Sequence, residues 1–203
     1  MTLMYIPAPL PLAKKAAPFD DPDWIYEIKH DGFRAVAVIE NGQCRLFSRK
    51  KHRLTGYRDL REALVKAVNG KQVILDGELV VTDHLGRSNF AAMMARRHQV
   101  RFFAFDLLHL DGEDLRGVPL VKRKERLKRI LPSRSPHVLY VDHTRGSGTE
   151  LYSLCCQLDL EGIVAKRADS PYEDNEGAPQ WIKIKNPNYS QKDGRADLFK
   201  RAG

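Results

Sequence analysis

The chain has 203 residues, of which 42% are hydrophobic and 30% charged, and it carries a net charge of +8 with a pI near 9.4. That length fits one large domain or two small lobes, and the composition excludes a disordered chain. No apolar run is long enough to span a bilayer, no basic segment precedes an apolar leader, and the positive balance suits either a polyanion such as nucleic acid or a solvated basic surface.

The elements follow in chain order. Residues 1–22, rich in proline and alanine, predict an extended arm lying over the domain. Alternation then begins: Trp24, Tyr26 and Ile28 share one face of a strand, and Ile25, Glu27 and Lys29 share the other. FRAVAVIE (33–40) and QCRLFSR (43–49) read as two further strands. Asn41-Gly42 between them signals a two-residue hairpin, because both central positions of a type I′ turn need positive φ. Leu60, Leu64 and Val68 repeat at helical spacing over 57–68. Residues 72–83 predict a strand interrupted at Asp76-Gly77, residues 89–97 a short helix, and 100–110 a strongly apolar strand. LVKRKERLKRIL (120–131) predicts a basic amphipathic helix with Leu120, Leu127, Ile130 and Leu131 as its apolar set. A strand over 137–144 and a helix over 149–160, capped by Thr149, come next. The last strands are 161–167 and 180–186. Hairpins mixed with helices, without regular βαβ alternation, imply an α+β fold with mainly antiparallel sheets. Cys44, Cys155 and Cys156 match no zinc spacing and read as free thiols in a reducing compartment, here the cytoplasm.

Four short sites stand at strand ends or turns: KHDGFR (29–34), DGE (76–78), EGIVAK (161–166) and WIKIK (181–185). A lysine on the buried side of a strand either reaches water or does chemistry. As a nucleophile it needs activation, since only roughly 0.1% of an ordinary lysine is neutral at pH 7. Two carboxylates arriving from different strands suit a divalent cation, and clustered lysines and arginines suit a triphosphate. Glycine lets the backbone approach a ligand or take positive φ. Each Asp-Gly or Glu-Gly pair alone is more often a turn, and WIKIK alone is more often an amphipathic edge strand with outward lysines. The four fixed positions of KxDGxR recur by chance in roughly 0.3% of chains of this length, so the ordered set is the informative feature.

That ordered set resembles the covalent nucleotidyltransferase (ATP-grasp-like) superfamily of ATP-dependent DNA ligases, RNA ligases and capping guanylyltransferases. FFAFDLLHLDG (102–112) is most similar to the ligase domain of bacterial end-joining ligases. The resemblance implies two mainly antiparallel β-sheets flanked by helices, with a nucleotide cleft between them. It implies an adenylation domain over 23–186, with 187–203 as a tail or linker. Lys29 would be the nucleophile that takes AMP from ATP. Phe105 would stack on adenine, Glu27 would lie beside it, and Arg34 and Arg49 would contact ribose and phosphate. Glu78 would meet ribose or metal, Glu161 the metal, and Lys183 and Lys185 the α-phosphate and leaving group. Mg²⁺ or Mn²⁺ would assist. Asp31 and Lys166 match their motifs without an assigned role.

The implied substrate is nicked or broken double-stranded DNA, joined through a lysyl-AMP intermediate in DNA repair. Residues 122–129 with Lys50, Lys51 and Arg53 are candidates for the DNA surface. Family ligases carry an OB-fold domain after the WIKIK strand; the sequence to Gly203 leaves no room for one of ordinary size, so an OB-fold domain or an end-joining protein is an expected partner. The alternatives are a capping-type guanylyltransferase or RNA ligase, or a nick- or end-binding module with weak turnover.

Overall fold

The computed structural model describes residues 5–95, 99–173 and 179–192. The arm contributes β1 (Ala13–Lys14) and leads to β2 (Trp24–Ile28), β3 (Phe33–Glu40), β4 (Gln43–Ser48) and β5 (Arg53–Leu54). Helix α1 (Arg58–Ala67), β6 (Gln72–Val80), α2 (Phe90–Met94), β7 (Arg101–Leu110) and β8 (Glu113–Asp114) follow. Then come α3 (Leu120–Ile130), β9 (Val138–Tyr140), β10 (Thr144–Arg145), α4 (Gly148–Gln157), β11 (Gly162–Arg167) and β12 (Trp181–Lys185). The smaller sheet has the order β1-β12-β11-β2-β10; the larger runs β5-β4-β3-β6-β7-β8, with β9 also paired to β7. Only β1 on β12 and β9 on β7 are parallel among the described pairings. Residues 1–4, 96–97 and 193–203, which belong to the expected arm, short helix and tail, lie outside the described residues.

The layers follow from strand alternation. Ala35, Ala37 and Ile39 of β3 pack with Leu60 and Leu64 of α1 and Leu127 of α3 on the outer face of the larger sheet. Val36 and Val38, on the opposite face, join Ile25 of β2 and Trp181 of β12, and this cluster binds the two sheets together. Behind the smaller sheet, Tyr26, Ile163 and Ile184 pack with Cys155 of α4. Asn41 and Gly42 take φ of 53° and 70°, the double left-handed turn that Asn-Gly favours. Burial pushes the Cys44 thiol up to about 12 and Cys155 up to about 11, so both are inert core groups.

Several details differ from the sequence reading. Thr149 does not cap α4; it lies inside the helix, and its N–H donates to the Asp20 carboxylate at 2.8 Å. The cap therefore arrives from the arm, more than a hundred residues away in sequence. The strand expected over 137–144 divides: β9 pairs within the larger sheet and β10 within the smaller, so the chain changes sheets between them. The strand expected to be interrupted at Asp76-Gly77 is one continuous β6, with a register shift at that pair.

Helix α3 is not a solvated basic rod. Arg123 and Lys124 are wholly buried, on the same face as Leu120 and Leu127, because positions 120, 123, 124 and 127 fall together at 3.6 residues per turn. They are thereby removed from the expected DNA surface. Lys122 and Arg126 remain outside, paired with Glu125 and Glu113. Arg123 makes a two-pronged pair with Asp106 of β7, both bonds 2.8 Å, and donates to the Ser170 carbonyl at 2.9 Å. Removing one member of such a buried pair strands the other's charge. Arg123→Met should therefore cost about 3–5 kcal/mol in urea unfolding, and adding Asp106→Leu should recover much of that loss. A double variant as unstable as the sum of two singles would contradict this account.

Candidate active site

Strand β2 turns Glu27 and Lys29 toward the space between the sheets, the same side as Ile25 and opposite to Tyr26. The Lys29 N–H donates to the Gly162 carbonyl at 2.9 Å, which extends the β2–β11 ladder by one residue and fixes where the side chain departs. Gly162 has φ of +133°, and a Cβ there would lie 2.1 Å from the Ile184 carbonyl oxygen, so only glycine fits. Glu161 immediately precedes it, and its carbonyl accepts from the Asn186 N–H at 2.9 Å. The result is an ion pair between Lys29 Nζ and Glu161 Oε2 at 2.5 Å, with Lys185 Nζ 2.9 Å from Oε1. Burial pushes the Glu161 carboxyl up, and Lys29 and Lys185 outweigh it, leaving the group below the usual range and charged.

Beside this pair lies a small cavity of about 50 Å³. Leu12, Glu27, Lys29, Arg34, Phe105 and Trp181 are among its walls. Phe105 and Trp181 meet edge to face with centroids 5.9 Å apart. The Lys166 ammonium sits 4.2 Å and 4.0 Å from the two ring centres and 2.6 Å from Glu27 Oε2. Lys124 Nζ reaches the other oxygen of Glu27 at 2.5 Å. Burial works against the Glu27 carboxylate, and the two ammoniums overcome it, so its pKa falls below the usual range. Burial pulls Lys166 down to about 8; Glu27 opposes that shift and Lys124 adds to it.

The larger sheet supplies the opposite wall. Arg34 on β3 stands in register with Glu78 on β6. Its guanidinium grips Asp76 with bonds of 3.1 and 2.6 Å and donates to the Leu10 carbonyl at 2.6 Å. Tyr172 donates to the same Asp76 at 2.6 Å and accepts from the Leu10 N–H at 3.3 Å. The Leu10 backbone is thus bracketed by two side chains, and Leu12 beyond it faces the cavity. Burial pushes Glu78 up to about 7, Lys29 and Arg34 pull it back, and Glu161 and Asp76 add to the rise. His30 packs on Phe103 with centroids 4.4 Å apart, and burial holds it down at about 4, so it is neutral at pH 7.

At the mouth, Lys183 is half-buried and pushed down by burial and then by Lys185, Lys29 and Arg49, which places these four cations in one electrostatic neighbourhood. Arg49 itself is exposed, as are Lys50, Lys51 and Arg53. Glu78 and Glu161 feel one another, but no group of three or more His, Cys, Asp or Glu side chains gathers to hold a metal among the described residues. A pair of carboxylates fits Mg²⁺ or Mn²⁺, which take one or two carboxylates and complete their shell with water and substrate phosphates.

Tyr172 and Lys124 were not among the expected site residues, and Asp76 and Trp181 lay in expected motifs without an assigned role. Asp76 holds Arg34, Tyr172 holds Asp76, Trp181 backs Phe105, and Lys124 holds Glu27. Lys124 carries a readable sign, being a lysine four residues after Leu120 and three before Leu127 on an apolar stripe. Tyr172 carries none, since its partner is distant in sequence. Gly162 takes the positive φ expected of a motif glycine, whereas Gly32 and Gly77 act differently. At Gly32 a Cβ would sit 2.1 Å from the Leu79 carbonyl oxygen, and at Gly77 one would sit 2.5 Å from the Phe102 ring. Both serve close approach of neighbouring strands, not of a ligand.

Two of the shifted groups, His30 and Glu78, make opposite contributions to stability. His30 binds a proton more readily when unfolded, so stability is lost as pH falls from 6.5 to about 4. Glu78 holds its proton more tightly when folded, so stability is lost as pH rises from 4.5 to about 7. Glu78→Gln should therefore be more stable than the parent in urea unfolding at pH 8, with the gain shrinking to nothing near pH 4. A pH-independent difference would show that Glu78 titrates normally.

Comparison with known proteins accords with this arrangement. A family model described as the ATP dependent DNA ligase domain matches residues 11–185. The SPbeta prophage-derived DNA ligase-like protein LigB of Bacillus subtilis is 31% identical over 191 residues, covering 91% of this chain and 69% of that protein. The multifunctional non-homologous end joining protein LigD of Pseudomonas aeruginosa is 36% identical over 169 residues, 80% of this chain but 20% of that protein. Among solved structures, a mycobacterial DNA ligase D complexed with ATP and MES superposes with a TM-score of 0.74 and 31% identity, covering 88% of this chain and 60% of that one. The chain thus spans about two thirds of one relative and about a fifth of another. By its motif order, its two-sheet architecture and these matches, the chain belongs to the ATP-dependent DNA ligase domain family.

Proposed function

We propose that this chain binds ATP between its two sheets and takes AMP onto Lys29, as the adenylating core of a ligase that joins DNA strands. The observation that carries this reading is the Lys29–Glu161 pair at 2.5 Å, set between an aromatic-walled cavity and a cluster of cations. The base stacks on Phe105, with Glu27 at its edge. Arg34 keeps two of its five N–H donors beyond those committed to Asp76 and Leu10, and these are available to the ribose. Arg49, Lys183 and Lys185 hold the phosphates and neutralise the departing pyrophosphate.

In the first step the Lys29 amine attacks the α-phosphorus. An N–P bond forms, the bond to the pyrophosphate oxygen breaks, and the amine gives up a proton. Glu161 Oε2, already 2.5 Å away, is placed to hold that proton. A divalent cation at Glu161 and Glu78 supplies, when bound, positive charge that competes with the ammonium for Glu161. AMP then passes to a 5′-phosphate, and a 3′-hydroxyl displaces it to join the strand. Exposed Lys50, Lys51 and Arg53 suit the duplex backbone, whose binding is salt-sensitive and largely blind to sequence. An OB-fold domain, in the same chain or a partner, completes closure over the nucleotide and DNA. The Pseudomonas aeruginosa relative is named for non-homologous end joining, which supports a DNA-repair role, with the cytoplasm as the expected compartment. No helix among the described residues is long and apolar enough to cross a membrane.

Intact mass after incubation with ATP and Mg²⁺ tests the first step. One adenylyl group should be gained, and Lys29→Ala or removal of the metal with EDTA should abolish the gain. Lys183→Ala should slow it by about 10²-fold, the scale for losing one donor to a developing charge. Labelling from GTP alone would favour a capping-type enzyme. Normal binding of a nicked duplex without joining it would favour a nick-binding module.

A further inference from the structure

Lys124 has no exposed surface, yet it is an ammonium in the interior. Its Nζ donates to Glu27 Oε1 at 2.5 Å, to the Val141 carbonyl at 2.9 Å and to the Phe105 carbonyl at 3.4 Å. An ammonium has three donors and no acceptor, so none is left for a ligand. The three acceptors come from different parts of the fold. Glu27 is on β2 of the smaller sheet, Phe105 is on β7 of the larger, and Val141 lies where the chain crosses from one sheet to the other. All three residues line the cavity. A leucine or methionine at this position of α3 would satisfy the apolar stripe without the cost of burying a charge. What the lysine adds is a single point that fixes three walls of the cavity relative to one another.

We propose that Lys124 is a positioning residue that sets the purine selectivity of the pocket, by holding the Glu27 carboxylate as an acceptor at a fixed place beside the Phe105 ring. This rests on the ATP reading above. A carboxylate offers about four acceptor sites; Lys124 and Lys166 approach one oxygen each, so capacity remains toward the cavity. That acceptor matches the 6-amino group of adenine, a donor. It opposes the 6-oxygen of hypoxanthine, another acceptor, and such mismatches at a polar contact discriminate strongly. With Lys124 gone, Glu27 keeps Lys166 alone and loses its tie to the larger sheet, so the acceptor no longer has a fixed place.

The test compares equilibrium binding of ATP and of inosine triphosphate, in a Lys29→Ala background where no adduct forms, followed by tryptophan fluorescence because Trp181 lines the cavity. The background protein should prefer ATP by at least about 10-fold, and adding Lys124→Met should bring that ratio to within about 3-fold of unity. The ratio is taken within one sample, so a merely structural loss that lowers the folded fraction does not move it. Lys124→Arg serves if the methionine variant does not fold; its planar fork cannot place three donors at the same points, and the ratio should fall there too. A ratio unchanged in either folded variant, or no preference in the background protein, overturns the assignment. Absence of any nucleotide binding in the background protein would instead defeat the ATP reading on which it rests.

Discussion

One short strand places two opposite charges, Glu27 and Lys29, on its buried side, and much of the surrounding structure answers that placement. A charge in the interior is tolerated only when a partner of opposite sign is brought to it. For Lys29 the partner is Glu161, at the start of the neighbouring strand, with Lys185 on the second oxygen of that carboxylate. For Glu27 the partners are Lys124 from α3 and Lys166 from β11. The helix, both sheets and the cavity are thereby tied to one strand. Because removing a single partner strands a buried charge, these groups hold one another in place without help from the ligand, and that is the preorganisation an electrostatic site needs.

The arm adds a second restraint. Ala13 and Lys14 pair in parallel with Ile182 and Lys183 of the smaller sheet. Three residues earlier, the Leu10 backbone is clasped by Arg34 and Tyr172, which converge on Asp76 of the larger sheet. The arm therefore spans the two sheets as a strap beside the cavity. Its carbonyl takes a donor from Arg34, so the walls on that side are set by backbone as well as side chains. The mouth has a different character. Lys183, Lys185 and Arg49 stand there with more water and fewer committed bonds, which suits them to phosphates that must arrive and leave.

Much of the scaffold was legible from local rules. The Asn41-Gly42 turn followed from its need for positive φ, and the face of β2 followed from a period of two. The sheets came out mainly antiparallel because hairpins outnumbered crossovers. Local rules failed where a distant group decided. Thr149 has the chemistry of a cap, but the Asp20 carboxylate from the arm takes that role instead. The run 122–129 looks solvated by composition, yet two of its cations point inward because acids from β2 and β7 wait there. The stretch 137–144 reads as one strand, and nothing local marks the change of sheet at its middle.

The amino-acid order by itself determined the candidate chemistry: a lysine in KxDGxR, glutamates beside glycines, and lysines alternating in WIKIK. It also determined the strands that carry them, since alternation and turn propensity act between near neighbours. Which charges meet was decided only by the tertiary structure. Lys29 and Glu161 are 132 residues apart, Lys124 and Glu27 97, and Tyr172 and Asp76 96. Ion pairs and desolvation depend on distance and burial in space, and sequence separation does not specify either one.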